Sequence, residues 1–260
     1  KKHLVRTQII DEGVPFLLST LWQDLNTPML IICPTAEQSI RLTERIFAWT
    51  EGDIRPTRFG ESESLPFERT STDNETSHQR ITTLAKLIDP NAAPPIVVTS
   101  ANAICQGTIA RHVMETTQHR LSVGDEITLS DISSKWEQMG YLFEATVSSP
   151  GQASRRGGII DVFPVTSSLP YRIELWGNQI DSIRSFDPQT QRAIEEVQAI
   201  ELIPALETLP MFLDSTSMDN MLGKIDLSNC TAEETIRING EIDLLLEGNG
   251  IEDLGLYTGF

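Results

Sequence analysis

Basic side chains are scarce in this chain. Twenty Lys and Arg stand against 37 Asp and Glu in 260 residues, a formal net charge of −17. Binding to nucleic-acid phosphates rests on clustered cations, so this balance argues against a surface built for DNA and suits a basic partner better. The acidity rises along the chain: residues 1–120 hold 12 basic and 14 acidic side chains, 121–205 hold 6 and 12, and 206–260 hold 2 and 11. Taken alone, that gradient describes a solvated surface more than a function. Cysteine is equally sparse. Cys33, Cys105 and Cys230 are odd in number and far apart, without a C-x-x-C pair, which fits a reducing compartment and leads us to expect a cytoplasmic protein. His3, His78, His112 and His119 share no ligand spacing, so no metal is expected. No run of about 18 apolar residues occurs and no charged-then-apolar leader opens the chain, which leaves membrane spanning and secretion unsupported. The chain begins at Lys1 without a methionine and stops at Phe260, as expected of a piece of something longer.

A phosphate loop is also missing. Such a loop needs G-x-x-x-x-G-K-[ST], because glycines let backbone N–H groups wrap the phosphates while Lys and a hydroxyl hold the terminal phosphate and magnesium. Ahead of the first apolar strand the chain reads Glu12-Gly13-Val14-Pro15-Phe16-Leu17-Leu18, with one glycine and no lysine. We therefore expect no nucleotide, no other cofactor and no catalytic residue, and read the chain as not an enzyme. Asp243 with Glu247, and Glu233 with Arg237, have helical i, i+4 spacing typical of surface pairs. Glu195 and Glu196 are adjacent and point apart, which disfavours a carboxylate-based hydrolase.

What is present suggests an αβ chain of two parts, since the length and 39% hydrophobic content allow one large domain or two smaller ones. Met29 to Cys33 is an apolar strand. Thr35-Ala36-Glu37-Gln38 is a capping box for a helix reaching about Thr50, with Ile40, Ile46, Phe47 and Trp49 on its apolar face. A second amphipathic helix is expected from about Asn74 to Leu87, and a buried strand from Ile96 to Thr99 after Pro94-Pro95. Strands and helices in alternation suggest a parallel αβ sheet. From Leu121 the pattern changes to short strands and Gly-rich turns around one helix, roughly Asp131 to Met139 capped by Ser130. Ala232 to Glu247 reads as a last helix, bounded by Gly248 and Gly250.

The densest signal lies between Ser154 and Pro188. A strand's two-residue period sends Tyr171, Ile173 and Leu175 to one face and Arg172, Glu174 and Trp176 to the other. The first set reads as core, and the second puts a guanidinium, a carboxylate and an indole on an outer face, as binding hot spots do. Gly177-Asn178 supplies the positive-φ positions of a tight turn, and Gln179 to Phe186 returns as the partner strand. Two other readings stay open. Arg172 can pair with Glu174 or a neighbouring acid across the sheet while Trp176 covers an apolar edge. Arg155-Arg156-Gly157-Gly158 can be an anion nest or, more plainly, a bend or bulge entering a strand.

These residues carry a resemblance. Arg156-Gly157-x-x-x-Asp161-x-Phe163-Pro164, then Pro170-Tyr171-Arg172-Ile173-Glu174, Ile180-Asp181-Ser182-Ile183-Arg184 and Phe186-Asp187, are similar to the small domain shared by the excision-repair protein UvrB and the bacterial transcription-repair coupling factors. Glu195-Glu196-Val197-x-Ala199-Ile200-x-Leu202-Ile203-Pro204-Ala205 resembles the coupling factors more than UvrB. UvrB-like proteins carry a tyrosine-rich hairpin that enters damaged DNA. The interval Gly60 to Ser71, GESESLPFERTS, is too short and too acidic for that.

The resemblance implies an α/β fold: a degenerate helicase-like, P-loop NTPase-like parallel-sheet domain with an inserted small α+β, β-rich domain. The first part would span residues 1–118, the small domain 119–205, and a return segment 206–260 would pack back on the first part. It implies a non-catalytic adaptor that recruits the damage-recognition ATPase UvrA to stalled RNA polymerase, with two arginines and an aromatic as contacts. Those positions fall on Arg156, Arg172 and Trp176, where the family more usually has phenylalanine in place of the indole. The C-terminal region of the full-length protein would be an intramolecular partner, and RNA polymerase and DNA would be engaged only by parts outside this chain. The alternative, a UvrB-like ATP-dependent DNA-damage-binding protein, requires the missing phosphate loop.

Overall fold

Ile96–Ser100 is apolar enough to be buried on both faces, the habit of a central parallel strand, and that is where the chain puts it. A computed structural model describes residues 5–50, 55–61, 74–89, 93–207, 209 and 225–246. Among these, β1 (Met29–Cys33), β2 (Thr57–Phe59) and β3 (Ile96–Ser100) form a three-stranded sheet in the order β1-β3-β2, with both pairings parallel. The chain divides into two compact units, residues 1–62 with 83–106, and residues 63–82 with 107–260.

In the first unit the sheet is joined by α1 (Val14–Leu25), α2 (Ala36–Trp49) and the short α4 (Ala101–Cys105). The segment ahead of β1 that lacks phosphate-loop glycines is a 3-10 turn, Asp11–Gly13, running into α1 with Pro15 in its first turn. The cap half of the expected capping box is observed: the Thr35 hydroxyl oxygen accepts from the Gln38 backbone N–H at 3.3 Å. Cys33, Ile46, Ile96 and Val98 make the core, flanked by Leu18, Trp22, Met29, Ile31 and Leu42. The expected apolar face of α2 is corrected. Ile46 is buried, but Ile40, Phe47 and Trp49 are exposed, and the inward stripe runs through Ser39, Leu42, Thr43, Ile46 and Thr50. Ser39, Thr43 and Thr50 return their hydroxyl hydrogens to Ala36, Ser39 and Ile46 carbonyls. A hydroxyl satisfied by its own helix can enter a core at little cost.

The second unit is built on a six-stranded sheet, ordered β10-β9-β8-β7-β6-β5: β5 (Leu142–Phe143), β6 (Gln152–Arg156), β7 (Ile159–Val162), β8 (Tyr171–Trp176), β9 (Gln179–Phe186) and β10 (Ala193–Val197). Every pairing is antiparallel except β5 with β6. A separate antiparallel pair joins β4 (His119–Ser122) to β11 (Ala199–Leu202). The inner face of the large sheet is aligned by register, Ile160 opposite Ile173 and Ile173 opposite Ile183, all buried. Val147, Phe163 and Phe186 form a separate buried cluster.

Helix α6 spans Leu129–Gln138, two residues earlier than its sequence suggests. Thr128, not Ser130, holds the cap position, and the Ser130 hydroxyl instead reaches Asp131. Its Trp136 is fully buried, tilted against Tyr141 with ring centroids 6.2 Å apart. The Tyr141 hydroxyl donates to the Ile203 carbonyl, and burial raises its pKa well above the ordinary value. The helix α5 (Arg111–Thr117) buries Met114. The helix α3 (Asn74–Ile88) contains the cut between the units, and its Arg80, almost wholly buried, is held by both carboxylate oxygens of Glu207 at 2.5 and 3.0 Å.

The last helix, α7 (Ala232–Leu246), closes the described chain. Arg237 on it pairs with Glu234 and Glu241, not with Glu233; Glu247, and most of the Gly60–Ser71 interval, lie outside the described residues. The fold is thus mixed α/β, with one parallel and one largely antiparallel sheet. Among the described residues no helix is long and apolar enough to cross a membrane.

Candidate functional site

Alternation along β8 places Arg172, Glu174 and Trp176 on the face opposite Ile173, and the neighbouring strands complete that face. Across the sheet the register runs Ser154, Asp161, Arg172, Arg184, Glu196. Arg172 and Arg184 thus stand opposite one another, each with acids on hand. Arg184 donates to Glu196 at 3.0 Å and to Glu174 at 3.5 Å, and the Ser182 hydroxyl reaches Glu174 at 3.4 Å. Three arginines and three acids therefore balance locally in a chain of net charge −17.

Trp176 stands at the end of β8 with 84% of its surface exposed. It pairs with Gln179 across a two-residue loop in which Gly177 has φ +64° and Asn178 does not enter the left-handed region. Positive φ at the first loop position alone is the pattern of a II′ turn, which needs glycine there; the expectation for Asn178 is corrected accordingly. The hairpin tip does not project unsupported. Gly124 N–H donates to the Ile180 carbonyl, Ile180 N–H to Asp125 and Ile127 N–H to Asn178, at 2.7–2.9 Å, and the Gln179 amide reaches the Gly124 carbonyl at 3.1 Å.

Arg172 sits differently. Its Nε and Nη2 each donate to one oxygen of Asp161 at 2.8 Å, its guanidinium carbon lies 4.7 Å above the Phe186 ring, and only 25% of its side chain is exposed. The bond to Asp161 raises its pKa above the ordinary arginine value, against the opposing effect of burial. The fork that a partner carboxylate would ordinarily use is thus filled by a neighbouring acid across the sheet, the second arrangement open from sequence. Arg156 is 56% exposed and reaches the same Asp161 oxygen only at 3.9 Å. The glycines after it form the β6–β7 hairpin turn, with Gly157 at φ +59° and Arg156 opposite Ile159, the bend entering a strand that the sequence suggests.

The structure therefore brings Arg156 and Arg172 to one carboxylate. It sets Trp176 four residues along the strand, about 13 Å away at an extended rise. Three participants carried no role in the sequence reading: Asp161, Phe186 and Gln191, the last at φ +60° with its side-chain oxygen 3.4 Å from Arg172. Asp161 was discoverable. An ionised side chain within IIDVF, on a strand with buried neighbours, demands a cationic partner.

Beside the hairpin tip lies an open cleft bordered by His119, Glu126, Asp131, Lys135 and Asn178. His119 accepts the Trp136 indole N–H at its Nδ1, 3.2 Å away. Burial and the charge of Lys135, opposed by Asp125, lower its pKa to about 4.

Residues 120–207, which include Arg156, Arg172 and Trp176, match the family model described as UvrB interaction domain. The chain is 33% identical over 191 residues to the transcription-repair-coupling factor of Bacillus subtilis (strain 168), covering 74% of this chain and 16% of that protein. It is 28% identical over 180 residues to that of Escherichia coli (strain K12), covering 69% and 15%. With the protein of Myxococcus xanthus it shares 28% identity over 250 residues, 94% of this chain and 21% of the relative. The similarity thus spans most of this chain and a minor part of each relative.

Proposed function

From the premise that this chain is a homologue of part of the transcription-repair-coupling factors, with a UvrB interaction domain at residues 120–207, we propose that it is a non-catalytic docking module that presents its small domain to UvrA. Residues 119–205 are that domain, inserted into a degenerate helicase-like parallel-sheet domain formed by residues 1–118 and completed by 206–260. Arg156, Arg172 and Trp176 are the UvrA contacts. RNA polymerase and DNA are engaged by parts outside this chain, the C-terminal region of the full-length protein masks the docking face, and the protein works in the cytoplasm.

The observation that carries this reading is the exposure of Trp176. A large ring left 84% open on a hairpin tip tied down by backbone hydrogen bonds is costly to a solitary surface and useful to an interface, where aromatic anchors dominate the energy. The test is a calorimetric titration of UvrA. Trp176→Ala is expected to weaken binding by about 2 kcal/mol, roughly thirtyfold, with unfolding unchanged. Undiminished affinity for both Trp176→Ala and Arg172→Ala would remove this face from the interface. ATP bound more tightly than about 100 μM, roughly 5.5 kcal/mol, would contradict the non-catalytic assignment.

A further inference from the structure

Asp161 is 3% exposed in the centre of the sheet, and a carboxylate there is tolerable only when its oxygens are satisfied. Both oxygens go to Arg172. Arg172 is held by more than the ion pair: Phe186 lies beneath it, and Gln191, whose amide is tied to the Val147 and Pro188 carbonyls at 3.2 and 2.8 Å, touches it from the side. Among the described residues, no group bonds Arg172 Nη1, and Arg156 has only its long approach to Asp161. Two guanidinium groups share this one carboxylate.

We infer, resting on the docking reading above, that Asp161 is a positioning residue of the docking face: it closes one edge of Arg172 and turns the other outward, so that Arg172 Nη1 and Arg156 together receive a single carboxylate of the partner. The partner surface therefore carries an Asp or Glu side chain about 13 Å, four residues of extended strand, from the apolar pocket for Trp176. It does not carry a carboxylate clamped in the fork of Arg172. Arg172 contributes one fixed donor and Arg156 a mobile one, so lysine at 172, a point charge drawn onto Asp161, leaves the outward donor missing.

A double-mutant cycle measured by UvrA titration tests this. Asp161→Asn keeps the shape, removes the charge and is expected to weaken binding about tenfold. In an Arg172→Ala background the same substitution is expected to have no further effect, because the residue acts through Arg172. Binding by Asp161→Asn as tight as that of the unaltered protein, or a loss of equal size in both backgrounds, overturns the inference. If Asp161→Asn fails to fold, Arg172→Lys decides, since it leaves Asp161 a cationic partner: a loss of about tenfold supports the outward donor, and unaltered affinity overturns it. Trp176→Ala in the same series separates the two claims. When it weakens binding and the Asp161 cycle does not behave as stated, only the positioning role fails; when neither Trp176→Ala nor Arg172→Ala weakens binding, the docking reading itself fails.

Discussion

The parallel sheet of the first unit and the antiparallel sheet of the second distribute polarity in opposite ways. Around β1–β3 the interior takes in hydroxyls: Ser39, Thr50, Thr83, Thr99 and Ser100 are buried, and Thr99 donates to the Phe59 carbonyl at 2.9 Å. Large apolar groups are left outside instead, with Leu30 and Ile32 exposed on one face of β1 and Phe16 against Trp49 on the helices. Around β5–β10 the inner face carries Ile160, Ile173 and Ile183, and the outer face carries the charge pairs of Arg172 and Arg184 with the exposed indole of Trp176; Leu142, Ile159 and Ile194 are exposed as well. Both sheets leave apolar side chains outside, but those of the second include Trp176, the most exposed of them all at 84%, set beside paired charges. A largely exposed ring set beside paired charges is a more specific feature than a broad apolar face.

Three measurements sharpen that contrast. The largest effect is expected at Trp136, fully buried in the second unit: Trp136→Ala should cost about 3–5 kcal/mol in denaturant unfolding, and a loss below about 1 kcal/mol would mean the second unit does not rest on this core. Next comes pH. His119 titrates at about 4 in the folded chain against an ordinary 6.5. A depressed imidazole contributes stability that is fully present above 6.5 and is lost as pH falls toward 4. The denaturation midpoint should fall across that window, and more steeply than in His119→Gln, whose side-chain oxygen can still accept the Trp136 N–H. Equal slopes would show that the imidazole stays solvated. The smallest effect belongs to the first unit, where Leu30→Ala and Ile32→Ala on the open face of β1 should each change stability by no more than about 0.5 kcal/mol. A loss of 2 kcal/mol or more would show that this face is covered in solution.

The strands of both units were legible because their signals are local. MLIIC and IVVT are apolar runs between turn residues, and the YRIELW alternation predicts both faces of β8. The capping box at Thr35 was legible for the same reason: its hydrogen bond closes within four residues. The inward face of α2 was not. Size and hydropathy favour Ile40, Phe47 and Trp49, but the packed stripe is decided by where the sheet lies, and Ser39, Thr43 and Thr50 qualify for it by bonding to their own helix. The site was half legible. Arg172 and Trp176 stand out by their alternation on one strand and Arg156 entered only through the resemblance, whereas the occupied fork of Arg172 depends on strand register, Asp161 opposite Arg172, which no single strand displays. Gln191 at φ +60° was invisible, since nothing in its type suggests a left-handed backbone.

The clamp on the hairpin tip has a consequence for how such a surface changes over generations. Apart from the Gln179 amide it is made of main-chain groups from Gly124, Asp125, Ile127, Asn178 and Ile180, and main-chain bonds do not depend on which ring is carried at position 176. The loop geometry therefore places no demand on the ring: position 176 can take another aromatic while the main-chain clamp beneath it stays as it is.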